Sequence, residues 1–146
     1  ALCGGVQALA EGENAASFNY EFLTPWIKIG EPARATVERL LPDAPKATKQ
    51  TALEQAIILT SLNNLMTFPW IREGVEAGRI NLRGWYFDMV KGRLLDYDFA
   101  SGIFCDITNK GDDLKDLLQS PQGVIGGCEC HCAHTWPIET LVKKYA

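Results

Sequence analysis

The residues of this sequence best suited to metal or thiol chemistry are its cysteines. The five thiols belong to Cys3, Cys105, Cys128, Cys130 and Cys132. Thiolates bind zinc well, and they also act as nucleophiles and redox groups. The odd number and the one-residue gaps near the C-terminal end disfavour a disulfide framework. The cysteines are therefore expected to be free thiols or metal ligands in a reducing compartment, such as the cytoplasm or an organelle stroma or matrix.

Residues 128–134 hold the densest group of ligand-type side chains. Cys128, Cys130, Cys132 and His134 together have the Cys₃His composition of structural zinc sites. In an extended strand, ligands at this spacing would lie about 6–7 Å apart along one face, so the segment would have to fold back to surround a metal. A second metal cluster is one interpretation of this tail. The alternatives are a flexible thiol-rich tail, a redox pair and a copper site.

Cys3 stands in a different context, a glycine-rich turn that opens into a helix over residues 3–10. Gly4 and Gly5 allow the backbone to approach a neighbour closely or to adopt a positive φ angle. N–H groups exposed at the start of a helix favour an anion or a thiolate nearby. On these residues alone Cys3 could be a metal ligand, but a free cysteine is more often a small buried apolar residue.

Composition limits the classes of protein to be considered. The 146 residues are 47% hydrophobic and 22% charged, enough for one globular domain with a core. The net charge of −4 argues against nucleic acid as a partner, because phosphate binding needs a basic face. No apolar run approaches the roughly 20 residues that span a bilayer.

Apolar periodicity predicts several helices followed by one β-hairpin. The longest predicted helix covers residues 51–66 and is apolar enough to be largely buried. A short helix over 71–77 should end at Gly78, a natural C-terminal glycine. Strands are then predicted around 80–87 and 94–99. Two strands form a marginal sheet, so this pattern indicates that further strands lie elsewhere.

Four stretches of the sequence resemble β-class carbonic anhydrases of the bacterial and plant type. They are Cys3-Gly4-Gly5-Val6-Gln7-Ala8-Leu9, which resembles the family's zinc motif His-x-x-Cys-Gly-(Gly/Ala) from its cysteine onward; Trp26-Ile27-Lys28-Ile29-Gly30 with Ala33-Arg34; Asn63-Asn64-Leu65-Met66-Thr67-Phe68-Pro69; and Leu82-Arg83-Gly84-Trp85-Tyr86-Phe87-Asp88 with Gly92-Arg93-Leu94. The resemblance covers residues 1–104, and residues 105–146 are predicted to form a C-terminal extension that carries the Cys/His cluster.

The resemblance implies an α/β fold, of which this chain is the C-terminal portion: a mostly parallel sheet flanked by helices and ending in a β-hairpin. It implies a dimer or larger homo-oligomer. It also implies reversible hydration of carbon dioxide to bicarbonate, in which Zn²⁺ is held by two cysteines and a histidine and zinc-bound hydroxide attacks the substrate. On this basis Cys3 is one zinc ligand, and the backbone of Gly4 and Gly5 lies near the metal.

The sequence departs from the family pattern in the rest of the zinc site. The motif's histidine would lie three residues before Cys3, and the family's Cys-x-Asp-x-Arg motif, with its catalytic Asp/Arg pair, does not occur in the sequence. An upstream segment of about 80–110 residues, judged from the size of an ordinary α/β domain, or a companion chain is expected to supply these groups. The alternative hypothesis is a non-catalytic carbonic-anhydrase-like subunit of an assembly. A weaker one makes the tail a metal-handling or thiol-redox module.

Overall fold

A computed structural model describes residues 3–11, 23–108 and 136–146 of the chain. The chain divides into two compact units, Ala1–Thr60 with Pro137–Ala146, called here the helical unit, and Ser61–Trp136, called the sheet unit. The helices are α1 (Gly4–Glu11), α2 (Leu23–Lys28), α3 (Glu31–Leu40), α4 (Lys46–Met66), α5 (Pro69–Glu76) and α6 (Ile138–Val142), which continues into a 3₁₀ turn (Lys143–Tyr145). The strands are β1 (Trp85–Asp88), β2 (Arg93–Asp98) and β3 (Ile103–Asp106).

The helical unit is built around an apolar core to which α1, α3, α4 and α6 each contribute. Helix α1 buries Val6 and Leu9, and α3 buries Ala33 and Val37, residues three or four apart that share one helix face. The buried cluster consists of Val6, Leu9, Ala33, Val37, Leu41, Ala52, Leu53, Ala56 and Val142. Helix α1, which follows Cys3 directly, is therefore held in place by its apolar face.

Helix α4 is the longest helix of the described residues, and its central turns are buried on every side. Residues 52–56 are all buried in succession, which confirms the prediction of a largely buried helix. The helix begins at Lys46 rather than near residue 51. The Pro45 carbonyl accepts the N–H groups of Thr48 and Lys49, and the first helical residues, Lys46 and Ala47, are exposed. Across the part of the chain that the structure describes, no helix is both long and apolar enough to cross a membrane.

The sheet unit contains a three-stranded antiparallel sheet in the order β1-β2-β3. The sequence predicts only two strands, and that count is wrong: Ile103–Asp106 forms a third. This strand is four residues long and follows Gly102, whose φ is +70°, so it carries too little alternation to be recognised as a strand. The combination of helices and sheet agrees with an α/β class. All pairings among the described strands are antiparallel, and the mostly parallel sheet stays a prediction.

Aromatic rings and one buried ion pair stabilise the sheet unit. The Phe104 ring lies against Tyr97 and Tyr86 with centroid distances of 5.3 and 6.2 Å. The Arg83 guanidinium donates to the Asp96 carboxylate at 2.7 Å, and both side chains are below a tenth exposed. Burial raises the pKa of Asp96, and the neighbouring Arg83 opposes that rise. The pair is therefore a buried salt bridge rather than a solvated one.

Two further features anchor the ends of the helices in the sheet unit. The side-chain amide of Asn63 donates to the Trp136 carbonyl at 3.1 Å and accepts from the Trp136 amide at 2.5 Å. At the end of α5, Gly78 has a φ of +66°, its N–H donates to Val75 and the next N–H donates to Gly74. These two bonds satisfy the last carbonyls of the helix in the pattern of a Schellman motif. The prediction that Gly78 ends this helix is confirmed.

Candidate functional site

Cys3 is the residue that precedes helix α1, and its backbone is fixed on both sides. Its carbonyl accepts the Gln7 N–H at 2.9 Å, which closes the first turn of α1. Its own N–H donates to the Glu54 Oε1 at 3.1 Å, a contact that joins residues 51 apart in the chain. The Cys3 side chain is exposed and its thiol is free. The fold thus holds the Cys3 backbone while leaving the sulfur open.

The acceptor, Glu54, lies in the buried part of α4 and is only 5% exposed. The side-chain amide of Gln50, one helical turn earlier and also buried, donates to the same Glu54 Oε1 at 3.1 Å. A buried carboxylate is costly unless hydrogen-bond donors compensate for the lost water. Two N–H donors, one from the backbone of Cys3 and one from Gln50, contribute to that compensation here.

The C-terminal 3₁₀ turn lies over the same part of α4. The Tyr145 hydroxyl donates to Gln55 Oε1 at 2.5 Å, and Gln55 is 4% exposed. Burial, and secondarily the negative charge of Glu54, raise the pKa of Tyr145 to about 12. Tyr145 therefore remains a neutral hydrogen-bond donor throughout the physiological range.

Glu54 is not among the site residues predicted from the sequence, although the sequence contains a signal for its role. It is the only acidic residue between positions 46 and 66, and Gln50 precedes it by one helical turn. A lone carboxylate among the apolar residues of a helix predicted to be buried requires a specific partner. The residues around Glu54 do not predict that partner, because Cys3 lies 51 residues earlier, at the start of another helix.

The other predicted site residues fall into two groups. Gly4 and Gly5 form the first turn of α1, and a methyl group added at Gly4 would meet nothing within 4 Å. Their proximity to a metal stays a prediction. Cys128, Cys130, Cys132 and His134 lie outside the described residues. Within residues 3–11, 23–108 and 136–146, no group of three or more His, Cys, Asp or Glu side chains could hold a metal ion.

Of the predicted zinc ligands, the structure describes Cys3, and its geometry can be compared with what a zinc ligand requires. A zinc ligand must present an unengaged sulfur from a position that the fold holds firmly. Cys3 meets both conditions, because its thiol is free and exposed while its amide and carbonyl are hydrogen-bonded. Cys3 therefore fits the role of one ligand in a zinc site.

The helical unit also has a small cleft, of about 290 Å³, with an apolar floor and a charged rim. Two of its three cationic side chains are engaged: Lys49 contacts Glu38 at 3.4 Å and the Pro42 carbonyl at 2.8 Å, and Arg34 pairs with Glu31. The rim thus carries charges of both signs. The lining residues are Ala10, Glu11, Arg34, Val37, Glu38, Ala44, Lys46, Lys49, Gln50 and Leu53.

Comparisons with known proteins agree with the motifs. A family model described as carbonic anhydrase matches residues 1–94. β carbonic anhydrase 3 of Arabidopsis thaliana is 34% identical over 102 residues, which are 68% of this chain and 40% of that protein. The match thus spans about two-fifths of the length of this curated relative. No solved structure matches significantly. The chain belongs to the β-class carbonic anhydrase family.

Proposed function

We propose that this chain forms part of a carbonic anhydrase, which hydrates carbon dioxide reversibly to bicarbonate, and that Cys3 is one of its zinc ligands. The observation that carries the proposal is the position of Cys3. It begins the family's Cys-Gly-Gly motif within the matched residues 1–94, and its thiol is free and exposed at the start of α1. When bound, zinc would supply a Lewis acid that lowers the pKa of water to about 7.

The chain's own residues would act by holding the ligand. Val6 and Leu9 anchor α1 in the core, and the Glu54 carboxylate binds the Cys3 amide. The N–H groups of the first turn, which includes Gly4 and Gly5, lie directly after the sulfur-bearing residue and favour negative charge there. The remaining ligands, a histidine and a second cysteine, would come from another part of the protein or from a companion chain.

The direct test compares Cys3→Ala with Cys105→Ala in the complete protein. Cys105 is also a free cysteine, but it lies in β3 of the sheet unit. We expect Cys3→Ala to lose bound zinc, measured by elemental mass spectrometry, and to lose at least about 100-fold in carbon dioxide hydration, since removing a ligand costs more than removing a residue that supports one. Cys105→Ala should retain both zinc and activity.

Other outcomes discriminate between the remaining hypotheses. A parent protein that binds no zinc and does not hydrate carbon dioxide, yet assembles stably, would favour the non-catalytic subunit. Retention of both zinc and activity by Cys3→Ala would contradict the role given to Cys3. The tail residues Cys128, Cys130 and Cys132 are tested separately by replacement with serine, which should leave activity unchanged and reduce bound metal only if the tail holds its own ion.

A further inference from the structure

We infer that Glu54 is a positioning residue for Cys3, and that its carboxylate sets how well Cys3 serves as a zinc ligand. This inference rests on the proposed function of Cys3. Glu54 would not touch the metal. It would act through the backbone of Cys3, whose N–H it accepts at 3.1 Å.

The first support is the rigidity of the place from which Glu54 acts. The five residues 52–56 of α4 are all buried, so this part of the helix has little freedom to shift. Gln50 donates to the same carboxylate oxygen that accepts the Cys3 amide, which limits rotation of the Glu54 side chain. The bond therefore fixes the backbone of Cys3 relative to the buried centre of α4 as well as to its own helix.

The second support is the weakness of the local restraints on Cys3. Helix α1 has eight residues, about two turns, and helix ends of this kind open readily. Cys3 is exposed, so side-chain packing does not fix it. The bond to Glu54 joins residues 51 apart in sequence and restrains the backbone at the point from which the sulfur extends.

Charge explains why the acceptor is a carboxylate. Hydrogen bonds to an ionised acceptor are roughly twice as strong as those between neutral groups. A negative charge near the first turn of a helix is also favoured by the helix dipole. Residues that support a metal ligand in this way typically change metal affinity by about 10- to 100-fold when removed.

The test uses Glu54→Ala and Glu54→Gln in the complete protein, with Glu38→Gln as the matched control. Glu38 is a carboxylate of the same unit, but it is exposed and pairs with Lys49 at 3.4 Å. Zinc affinity is measured by competition with a chelator, and the thiolate-to-metal absorption band is recorded after cobalt substitution. Amide hydrogen exchange at Cys3 reports the bond itself.

We expect Glu54→Ala to weaken zinc binding about 10-fold or more. Glu54→Gln keeps an acceptor oxygen without the charge, so about half of the free energy should be lost, which corresponds to about threefold. Hydrogen exchange at the Cys3 amide should accelerate more in Glu54→Ala than in Glu54→Gln. The thiolate-to-metal absorption band of the cobalt-substituted protein should also change. Glu38→Gln should match the parent. If Glu54→Ala does not fold, Glu54→Gln alone decides the question.

Different experimental outcomes would overturn this inference and the proposed function. If Cys3→Ala loses zinc while both Glu54 variants bind it as the parent does, Glu54 has no positioning role and only this inference is overturned. If Glu54→Gln lowers the stability but leaves zinc affinity and Cys3 exchange unchanged, Glu54 is merely structural and the inference is again overturned. If Cys3→Ala retains both zinc and activity, the proposed function fails first and this inference with it.

Discussion

The helical unit and the sheet unit both bury a carboxylate, but they provide it with different partners. In the sheet unit, Asp96 lies 2.7 Å from the Arg83 guanidinium. In the helical unit, the partners of Glu54 include two neutral donors, the Cys3 backbone and the Gln50 side-chain amide. An ion pair between side chains bears on the stability of the sheet, because loss of one partner would leave the other charge buried and unpaired. A carboxylate bonded to a backbone N–H also determines where that segment of backbone lies, and here the segment carries the candidate ligand.

The largest expected effect comes from breaking the ion pair of the sheet unit. Arg83→Ala should lower the free energy of unfolding by about 3–5 kcal/mol, because it leaves the buried Asp96 carboxylate without its cationic partner. Urea unfolding measures this, and Arg93→Ala is the control. Arg93 pairs with Asp106 at 3.5 Å, but both side chains are exposed, so its loss should cost less than about 1 kcal/mol. Equal effects of the two substitutions would show that burial does not distinguish these pairs.

A packing change in the helical unit should have the next largest effect. A methyl group at Gly30 would lie 2.6 Å from Leu9 Cδ2 and 3.3 Å from Ile57 Cδ1. Gly30→Ala should therefore destabilise the protein by about 1–3 kcal/mol, through overpacking against α1. Gly4→Ala, with open space at its Cβ, should change the stability by less than about 1 kcal/mol. Thermal unfolding of both variants gives the comparison, and a stable Gly30→Ala protein would mean that α1 moves easily.

The hydroxyl of Tyr145 should contribute less, and in a way that depends on pH. Tyr145→Phe removes the donor to the buried Gln55 and should cost about 1–2 kcal/mol near neutrality. Because the pKa of Tyr145 is raised to about 12 in the folded chain from its ordinary value of 10.0, this contribution is fully present below about pH 10 and is lost as the pH rises towards 12. Urea unfolding of parent and variant from pH 8 upward measures this. Parallel curves for the two proteins above pH 10 would contradict it.

The smallest expected effect concerns the end of α5. Gly78→Ala places a side chain on a backbone with φ of +66° and should cost about 1 kcal/mol, while the space around its Cβ is open. Zinc affinity should not change, since the substitution lies in the sheet unit. A loss of zinc affinity in this variant would show that stability of the sheet unit and metal binding are coupled, and it would weaken the contrast between the two units.

Local patterns in the sequence predict several features of this structure. The apolar run at residues 51–66 predicted a buried helix, and Gly78 predicted the end of α5, since both depend on periodicity and backbone freedom within a few residues. The Cys-Gly-Gly motif identified Cys3 and, with the other three stretches, the family. The third strand was missed, because four residues after a glycine turn show too little alternation to predict pairing with β2.

The sequence by itself determined the family, the candidate ligand Cys3, the buried character of α4 and the turn at Gly78. Only the tertiary structure decided that Glu54 meets the amide of Cys3, that Arg83 meets Asp96, and that Tyr145 reaches Gln55 from the far end of the chain. The physical reason is the range of the interactions. Periodicity and turn chemistry act between near neighbours, whereas a buried polar group takes its partner from whichever segment the packing of the core brings to it.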